Sequence, residues 1–327
     1  MVDFLADASI EAEVLKGVAR VECWQVEGHH ALPDHLHEAA GLLVWHLVHF
    51  PRQVFEQKLS SEGTKTKVLV RVGMGIDSVD LQAAGERGIY VANVPDYGVE
   101  EVADSTLSLI LNLVGSSSCL LFSHSRAAMA TLTSQASRAA AQMRKTHVLA
   151  NGTKENKIRG KKLGIIGLGK IGRAVAERAK PFGFDIFFYD PYLTDGVDKS
   201  MGIGRCDSLE DLLASCDVVS LNCDLNTDNH HLLNTATLSH IPKNKGTALL
   251  AAMKDGRIGA AALDVLEEEP YTDGHLNEVP DLLLTPHTAF YSDEGFIEMR
   301  TKAALEVKRV LQGGAPRNCV NKQWIKS

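Results

Sequence analysis

Lys162-Leu-Gly-Ile-Ile-Gly-Leu-Gly-Lys-Ile-Gly172 runs from an apolar strand pattern into three glycines spaced G-x-G-x-x-G, at Gly167, Gly169 and Gly172. An amphipathic stretch, Ile171–Phe182, continues from it as an expected helix. Strand, glycine turn and helix in that order suit a dinucleotide. The first glycine allows the tight turn, the second lets backbone approach a pyrophosphate, and the third lets helix and strand pack closely. The helix start then offers unpaired N–H groups and a positive dipole end to the phosphates. Asp190 follows Gly172 by 18 residues, at the end of the next expected strand, Asp185–Tyr189. An acid there accepts hydrogen bonds from a ribose 2′-hydroxyl and repels a 2′-phosphate, which favours NAD over NADP.

Around this unit short β patterns alternate with helical ones. Val18–Trp24, Gly41–His46, Val68–Val72 and Ile89–Val91 read as strands, with a helix at Asp77–Gly88 and a longer one at Val99–Val114. Beyond the glycine loop, Ser208–Ala214, Leu249–Asp255 and Glu298–Leu311 read as helices. Val218–Asn222, Ala260–Val265 and Leu282–Thr285 read as strands. Gly115–Ala150 carries no strand signal and allows a helix at Arg126–Arg144. Such alternation predicts an α/β fold with parallel sheets, doubly wound in the second half.

The 327 residues are 45% hydrophobic and 23% charged, enough apolar material for a core and too much for a disordered chain. Two domains are expected at this length. With 34 basic and 41 acidic residues the net charge is −7, which argues against nucleic-acid binding through the surface as a whole. Apolar runs such as Ala39–Trp45 are too short to span a bilayer. Met1-Val-Asp-Phe4 has neither a basic nor an apolar leader region, so secretion is not expected. Six cysteines without a C-x-x-C pair are expected to be reduced and mostly buried thiols. The 13 histidines show no ligand spacing, so no metal site is expected.

Two further segments each begin with a strand pattern and end in polar residues: Ala260–Pro270, with Asp264 and Glu269, and Leu282–Tyr291, with His287. Ligands of open α/β sheets sit beyond the carboxyl ends of the strands, where Glu269 and His287 could meet. A carboxylate beside an imidazole holds it as a proton donor.

At these residues the chain resembles the D-isomer-specific 2-hydroxyacid dehydrogenases, and most closely their corepressor branch. The resemblance rests on Val70-Arg-Val-Gly-Met-Gly-Ile-Asp77, Val99-Glu-Glu-Val-Ala-Asp-Ser-Thr-Leu107, Gly164–Gly172, Phe188-Tyr-Asp-Pro-Tyr192, Asn229-His-His-Leu232, Glu269-Pro270, Thr285-Pro-His287 and Asn318-Cys-Val-Asn-Lys322. It covers nearly the whole chain except about 115–157. It implies a Rossmann NAD domain, 99–298, inserted into a flavodoxin-like α/β substrate domain, 1–98 plus 299–327, with hinges near Val99 and Glu298. It implies NAD contacts from Thr106 and from Gly167, Gly169, Lys170, Ile171 and Gly172 of the loop. Asp190, Cys223, Asn226, Asn229, Asp264 and His287 would complete the cofactor site. His287 would be the acid/base and Glu269 its partner, with Arg71 and Gly75 at the substrate cleft. The resemblance further implies a homodimer through the NAD domain, a groove for short Pro-x-Asp-Leu-Ser-type peptides, and a place in nucleus and cytoplasm.

The chain departs from the family in four places. Where the family has a strand followed by Asn-Thr-Ala-Arg-Gly-Gly, this chain runs Ser239-His-Ile-Pro-Lys-Asn-Lys-Gly-Thr-Ala-Leu-Leu250. About a dozen residues are absent, among them the arginine that clamps the substrate carboxylate; Lys243 and Lys245 lack its bidentate fork. Gly115–Asn156 is longer than in the family, Phe290 replaces a tryptophan, and Met74 replaces a serine. The missing strand predicts either a sheet one strand narrower or a sheet interrupted between Val218–Asn222 and Ala260–Val265.

Overall fold

The computed structural model describes residues 2–3, 7–45, 47–60, 63–115, 157–226, 228–238, 252–253, 258–266 and 281–325, with the single residues 269, 276 and 279. The helix expected at Arg126–Arg144 and most of that at Leu249–Asp255 lie outside them. The chain divides into two compact units, residues 1–98 with 291–327, and residues 99–290. The second crossing therefore falls at Phe290–Tyr291 and not at Glu298. The reason is local. Ser292 caps the helix Asp293–Leu311, its hydroxyl accepting the Gly295 N–H at 2.8 Å, so Glu298 lies inside a continuous helix.

In the first unit five parallel strands, β1 (Val2–Asp3), β2 (Trp24–Gln25), β3 (Gly41–Val44), β4 (Val68–Arg71) and β5 (Tyr90–Ala92), lie in the order β2-β1-β3-β4-β5. That is the flavodoxin-like order. Alternate residues of β3 and β4 serve opposite faces. Leu42, Val44 and Leu69 pack with Leu36, Phe50, Phe55 and Ile89 on one side. Leu43, Val68 and Val70 pack with Met299, Ala303 and Val307 of the last helix on the other. Burial on both faces explains why these strands read as unbroken apolar runs.

The expected strand Val18–Trp24 is reduced to Trp24–Gln25. Val18 and Ala19 instead close the turn after the helix Ser9–Val14, both donating to the Leu15 carbonyl. The helix expected from Asp77 starts at Leu81, because Asp80 is its cap and accepts the Ala83 N–H at 2.8 Å. The chain end is stitched to β5 by Asn321, which is fully buried. Its side-chain oxygen accepts the Val91 N–H at 2.8 Å, and its amide donates to Ile89 at 3.0 Å and Leu81 at 3.3 Å.

In the second unit β6 (Lys162–Ile166), β7 (Asp185–Tyr189), β8 (Gly204–Arg205) and β9 (Val218–Leu221) form a parallel sheet in the order β8-β7-β6-β9. Strands β10 (Ala261–Leu263) and β11 (Leu282–Leu284) form a separate parallel pair. Among the described residues β9 has a ladder with β6 alone and β10 with β11 alone; Ser239–Leu250, where the sequence departs from the family, lies outside them. The helix Val99–Gly115 packs on both β9 and β10. Leu221 at the end of β9 and Val265 just beyond β10 are 53% and 58% exposed.

The helix Ser9–Val14 is tied to the last helix by a buried ion pair. Arg300 donates through Nε and Nη2 to the two carboxylate oxygens of Glu11, at 2.7 and 2.6 Å, and Nη2 also reaches the Asp7 carbonyl at 2.8 Å. Glu11 and Arg300 are 1% and 4% exposed. Removing one partner of such a pair leaves a buried charge alone, so Glu11→Ala is expected to destabilise the protein by about 3–5 kcal/mol. Replacing both residues by methionine is expected to recover most of that loss. Urea unfolding of the parent and the two variants measures it, and a Glu11→Ala variant as stable as the parent would contradict the assignment.

Candidate cofactor and proton-transfer site

The glycine loop is built by close approach. Gly167 has a φ of +83°, and a Cβ there would lie 2.7 Å from the Cys223 backbone nitrogen, just beyond β9. A Cβ on Gly172 would lie 2.2 Å from the Gly167 carbonyl oxygen. Gly169 differs: a Cβ there meets nothing within 4 Å. It caps the helix Lys170–Ala179, and no side chain caps that end. Two glycines thus let strand and helix touch, and the middle one borders open space at a helix start. That is the cradle a pyrophosphate requires, and these residues fit NAD.

The Asp190 carboxylate stands beside the loop. It accepts the Leu168 N–H at 2.9 Å on one oxygen and the Tyr192 N–H at 3.0 Å on the other. Asp190 therefore shapes the loop. Cys223 is half-buried against Gly167, and burial pushes its thiol above its ordinary range. The other described cysteines, Cys23, Cys206, Cys216 and Cys319, are likewise free and half-buried, less enclosed than expected; Cys119 lies outside the described residues. Asn226 and Asn229 hold one another's backbone. Asn229 Oδ1 accepts the Asn226 N–H at 2.7 Å, and Asn226 Oδ1 accepts the Asn229 N–H at 3.1 Å. Their side-chain oxygens are spent on the shape of the loop. Thr106 is half-buried in the helix Val99–Gly115, while Lys170 is exposed at the loop and Ile171 half-buried.

At the carboxyl ends of β10 and β11 the acid and the histidine meet. His287 Nδ1 lies 2.7 Å from Glu269 Oε2, and the other Glu269 oxygen accepts the Leu266 N–H at 2.8 Å. With Glu269 ionised, Nδ1–H is the donor, which leaves Nε2 as the outward nitrogen of a ring that is 49% exposed. The Phe290 ring stands edge-on, 6.1 Å from the imidazole centre. His287 has a φ of +53°, an uncommon conformation for a residue with a Cβ. Asp264 holds the chain there: its carboxylate accepts from Thr285 Oγ1 at 2.7 Å, Thr288 N–H at 3.0 Å and Ala289 N–H at 3.1 Å. The resemblance implies a cofactor contact for Asp264. Its bonds make it the anchor of the histidine loop, a role with no spacing signal.

In the first unit Arg71 ends β4. Its Nη1 donates to the Val72 carbonyl at 2.7 Å, and the guanidinium occupies the space a side chain on Gly73 would take. Burial pushes the Tyr97 phenol above its ordinary range, against the opposing pull of Arg71. Tyr97 and Gly73 are thus part of the Arg71 surroundings, and neither stood out in the sequence. Gly75 is exposed on the following turn. Among the described residues no group of three acid, histidine or cysteine side chains is placed to hold a metal ion. Nor, among them, is any helix long and apolar enough to cross a membrane.

Gly169→Ala is expected to leave stability unchanged, since φ is ordinary and the space is open, and to weaken NADH binding at least about tenfold by filling the phosphate position. Gly167→Ala is expected to destabilise by about 1–3 kcal/mol through overpacking and strain. Thermal melts paired with NADH titration separate the two effects, and full NADH affinity in Gly169→Ala would overturn the loop assignment.

The sequence model of the D-isomer-specific 2-hydroxyacid dehydrogenase NAD-binding domain matches residues 126–289. The match begins inside the stretch the sequence reading set apart. C-terminal-binding protein 1 of Caenorhabditis elegans is 32% identical over 98% of this chain and 44% of its own length. D-3-phosphoglycerate dehydrogenase of Methanocaldococcus jannaschii is 32% identical over 95% of this chain and 55% of its own length. The chain thus spans about half the length of these curated relatives. A solved glyoxylate reductase from Paecilomyes thermophila superposes with a TM-score of 0.78 at 24% identity, covering 98% of this chain and 97% of that one, a likeness of fold. Glycine loop, strand-end acid and family match converge on one conclusion: this chain belongs to the D-isomer-specific 2-hydroxyacid dehydrogenases and carries their NAD-binding domain.

Proposed function

We propose that the protein is an NAD(H)-binding, corepressor-like member of this family with weak or lost dehydrogenase activity. One observation carries the reading. The glycine loop and the Glu269–His287 pair are intact, while Ser239–Leu250 contains no arginine to clamp a substrate carboxylate. Reduction of a 2-keto acid needs a hydride held close, a proton donor at the carbonyl oxygen and a cation on the carboxylate. NADH supplies the hydride when bound. Gly167, Gly169, Lys170, Ile171 and Gly172 would hold its pyrophosphate, Asp190 its ribose, and His287 Nε2 would deliver the proton. The third element is the one the sequence lacks.

The similarity to C-terminal-binding protein 1 supports the corepressor role. By the same resemblance the protein forms a homodimer through the NAD domain and takes Pro-x-Asp-Leu-Ser-type peptides on the substrate unit. It acts in nucleus and cytoplasm and has no direct hold on nucleic acid, in keeping with its net charge of −7. The alternative, an active NAD-dependent dehydrogenase of small 2-keto acids, is favoured by the 2.7 Å Glu269–His287 pair and would need Arg71 as its cation.

Pyruvate or a larger 2-keto acid is expected to oxidise NADH far below the ordinary enzymatic range of about 1–1000 per second. A substrate held without its clamp is misplaced, and a misplacement of about 1 Å costs on the order of a hundredfold. Grafting a strand followed by Asn-Thr-Ala-Arg-Gly-Gly between Lys245 and Thr247 is expected to raise the rate. Stopped-flow absorbance at the nicotinamide band measures both, and an ordinary rate in the unmodified chain would establish the dehydrogenase instead. Gel filtration with and without NADH tests the cofactor-dependent dimer.

A further inference from the structure

Tyr192 follows Asp190 by two residues and is 68% exposed, yet its phenol is engaged. The Tyr192 hydroxyl donates to Asp228 Oδ2 at 3.2 Å, across from the loop that follows β9. Asp228 is fixed from its own side, its N–H donating to Asn226 Oδ1 at 2.8 Å. The Asp228 hydrogen bond, ahead of burial, holds the Tyr192 phenol above its ordinary range. Tyr192 therefore links two carboxylates, its N–H on Asp190 Oδ1 and its hydroxyl on Asp228 Oδ2, beside the end of β7 that a bound ribose would face. The helix-start cradle at Gly169 places the phosphates of that nucleotide independently.

We propose that Asp228, oriented by Tyr192, is a second specificity-determining residue of the cofactor site, which with Asp190 rejects a nucleotide carrying a 2′-phosphate. Asp190 alone is a weak barrier, because both of its oxygens already accept backbone N–H groups from Leu168 and Tyr192. Hydrogen bonds to a carboxylate offset part of its charge toward a neighbouring anion. Asp228, held on the hydroxyl of Tyr192 two residues beyond Asp190, would add a second negative charge facing a phosphate on the ribose. A ribose with a free 2′-hydroxyl meets two acceptors there; a phosphate meets two anions. The proposal rests on the reading of Gly167–Gly172 and Asp190 as the NAD site.

The test is equilibrium binding of NADH and NADPH to the full chain, followed by nicotinamide fluorescence, for the parent, Asp228→Asn and Tyr192→Phe. The parent is expected to prefer NADH. Asp228→Asn is expected to cut that preference about tenfold, the effect of a unit charge at close range in a half-solvated site, mainly by strengthening NADPH binding. Tyr192→Phe keeps the charge and is expected to cut it less than about threefold. The parent preference is also expected to shrink as salt is raised, and that of Asp228→Asn to shrink less, a response a merely structural residue would not show. NADH binding with an unchanged preference in Asp228→Asn overturns the proposal and leaves the cofactor site standing. A loss in Tyr192→Phe as large as in Asp228→Asn also overturns it, because the phenol and not the charge would then set the preference. No NADH binding by the parent overturns the cofactor site itself.

Discussion

A side chain on Gly167 or Gly172 would collide with backbone, and much of the second unit follows from that. The missing side chains bring the end of β6, the start of β9's following loop and the first helical turn within van der Waals reach of one another. Once those three are fixed, the Leu168 N–H is aimed at Asp190, the helix start is left open, and Cys223 is enclosed. The cofactor cradle is thus a by-product of packing. A methyl group in the wrong place would disturb fold and function together, whereas the neighbouring Gly169 borders empty space and bears on function alone.

Among the described residues the glycine loop sits on a four-stranded ladder and His287 follows a two-stranded one. Asp264 ties the second together. Its three accepted hydrogen bonds bind the histidine loop to the end of β10, and Ser105 of the helix Val99–Gly115 reaches the Ala289 carbonyl at 3.4 Å. That helix packs on both β9 and β10 and so links the two ladders.

The glycine strand, its helix and β7 were legible in the sequence because each is specified locally, by apolar runs bounded by glycines and by an amphipathic period. The Glu269–His287 pair was legible because strand ends in α/β sheets are where side chains converge. Short elements were not: the helices Arg52–Gln57 and Val197–Met201 have only one or two turns, and neighbouring packing, not periodicity, decides them. The helix starts at Leu81 and Asp293 are set by the side-chain caps Asp80 and Ser292, a single-residue signal that apolar periodicity does not carry. Asn226 and Asn229 carried no sign that they would be consumed in holding each other.

The first unit is made from two ends of the chain, and this has a consequence during synthesis. Strands β3, β4 and β5 leave the ribosome early, with one face ready to be covered by local residues such as Phe50, Phe55 and Ile89. The other face, with Leu43, Val68 and Val70, waits for Met299, Ala303 and Val307, which emerge only after the whole of residues 99–290. Until then a half-covered parallel sheet is tethered to a growing NAD domain, and Glu11 has no Arg300 to neutralise it. Nascent chains of this protein therefore present an apolar sheet face for longer than a domain folded in sequence order would, and make the stronger demand on chaperones.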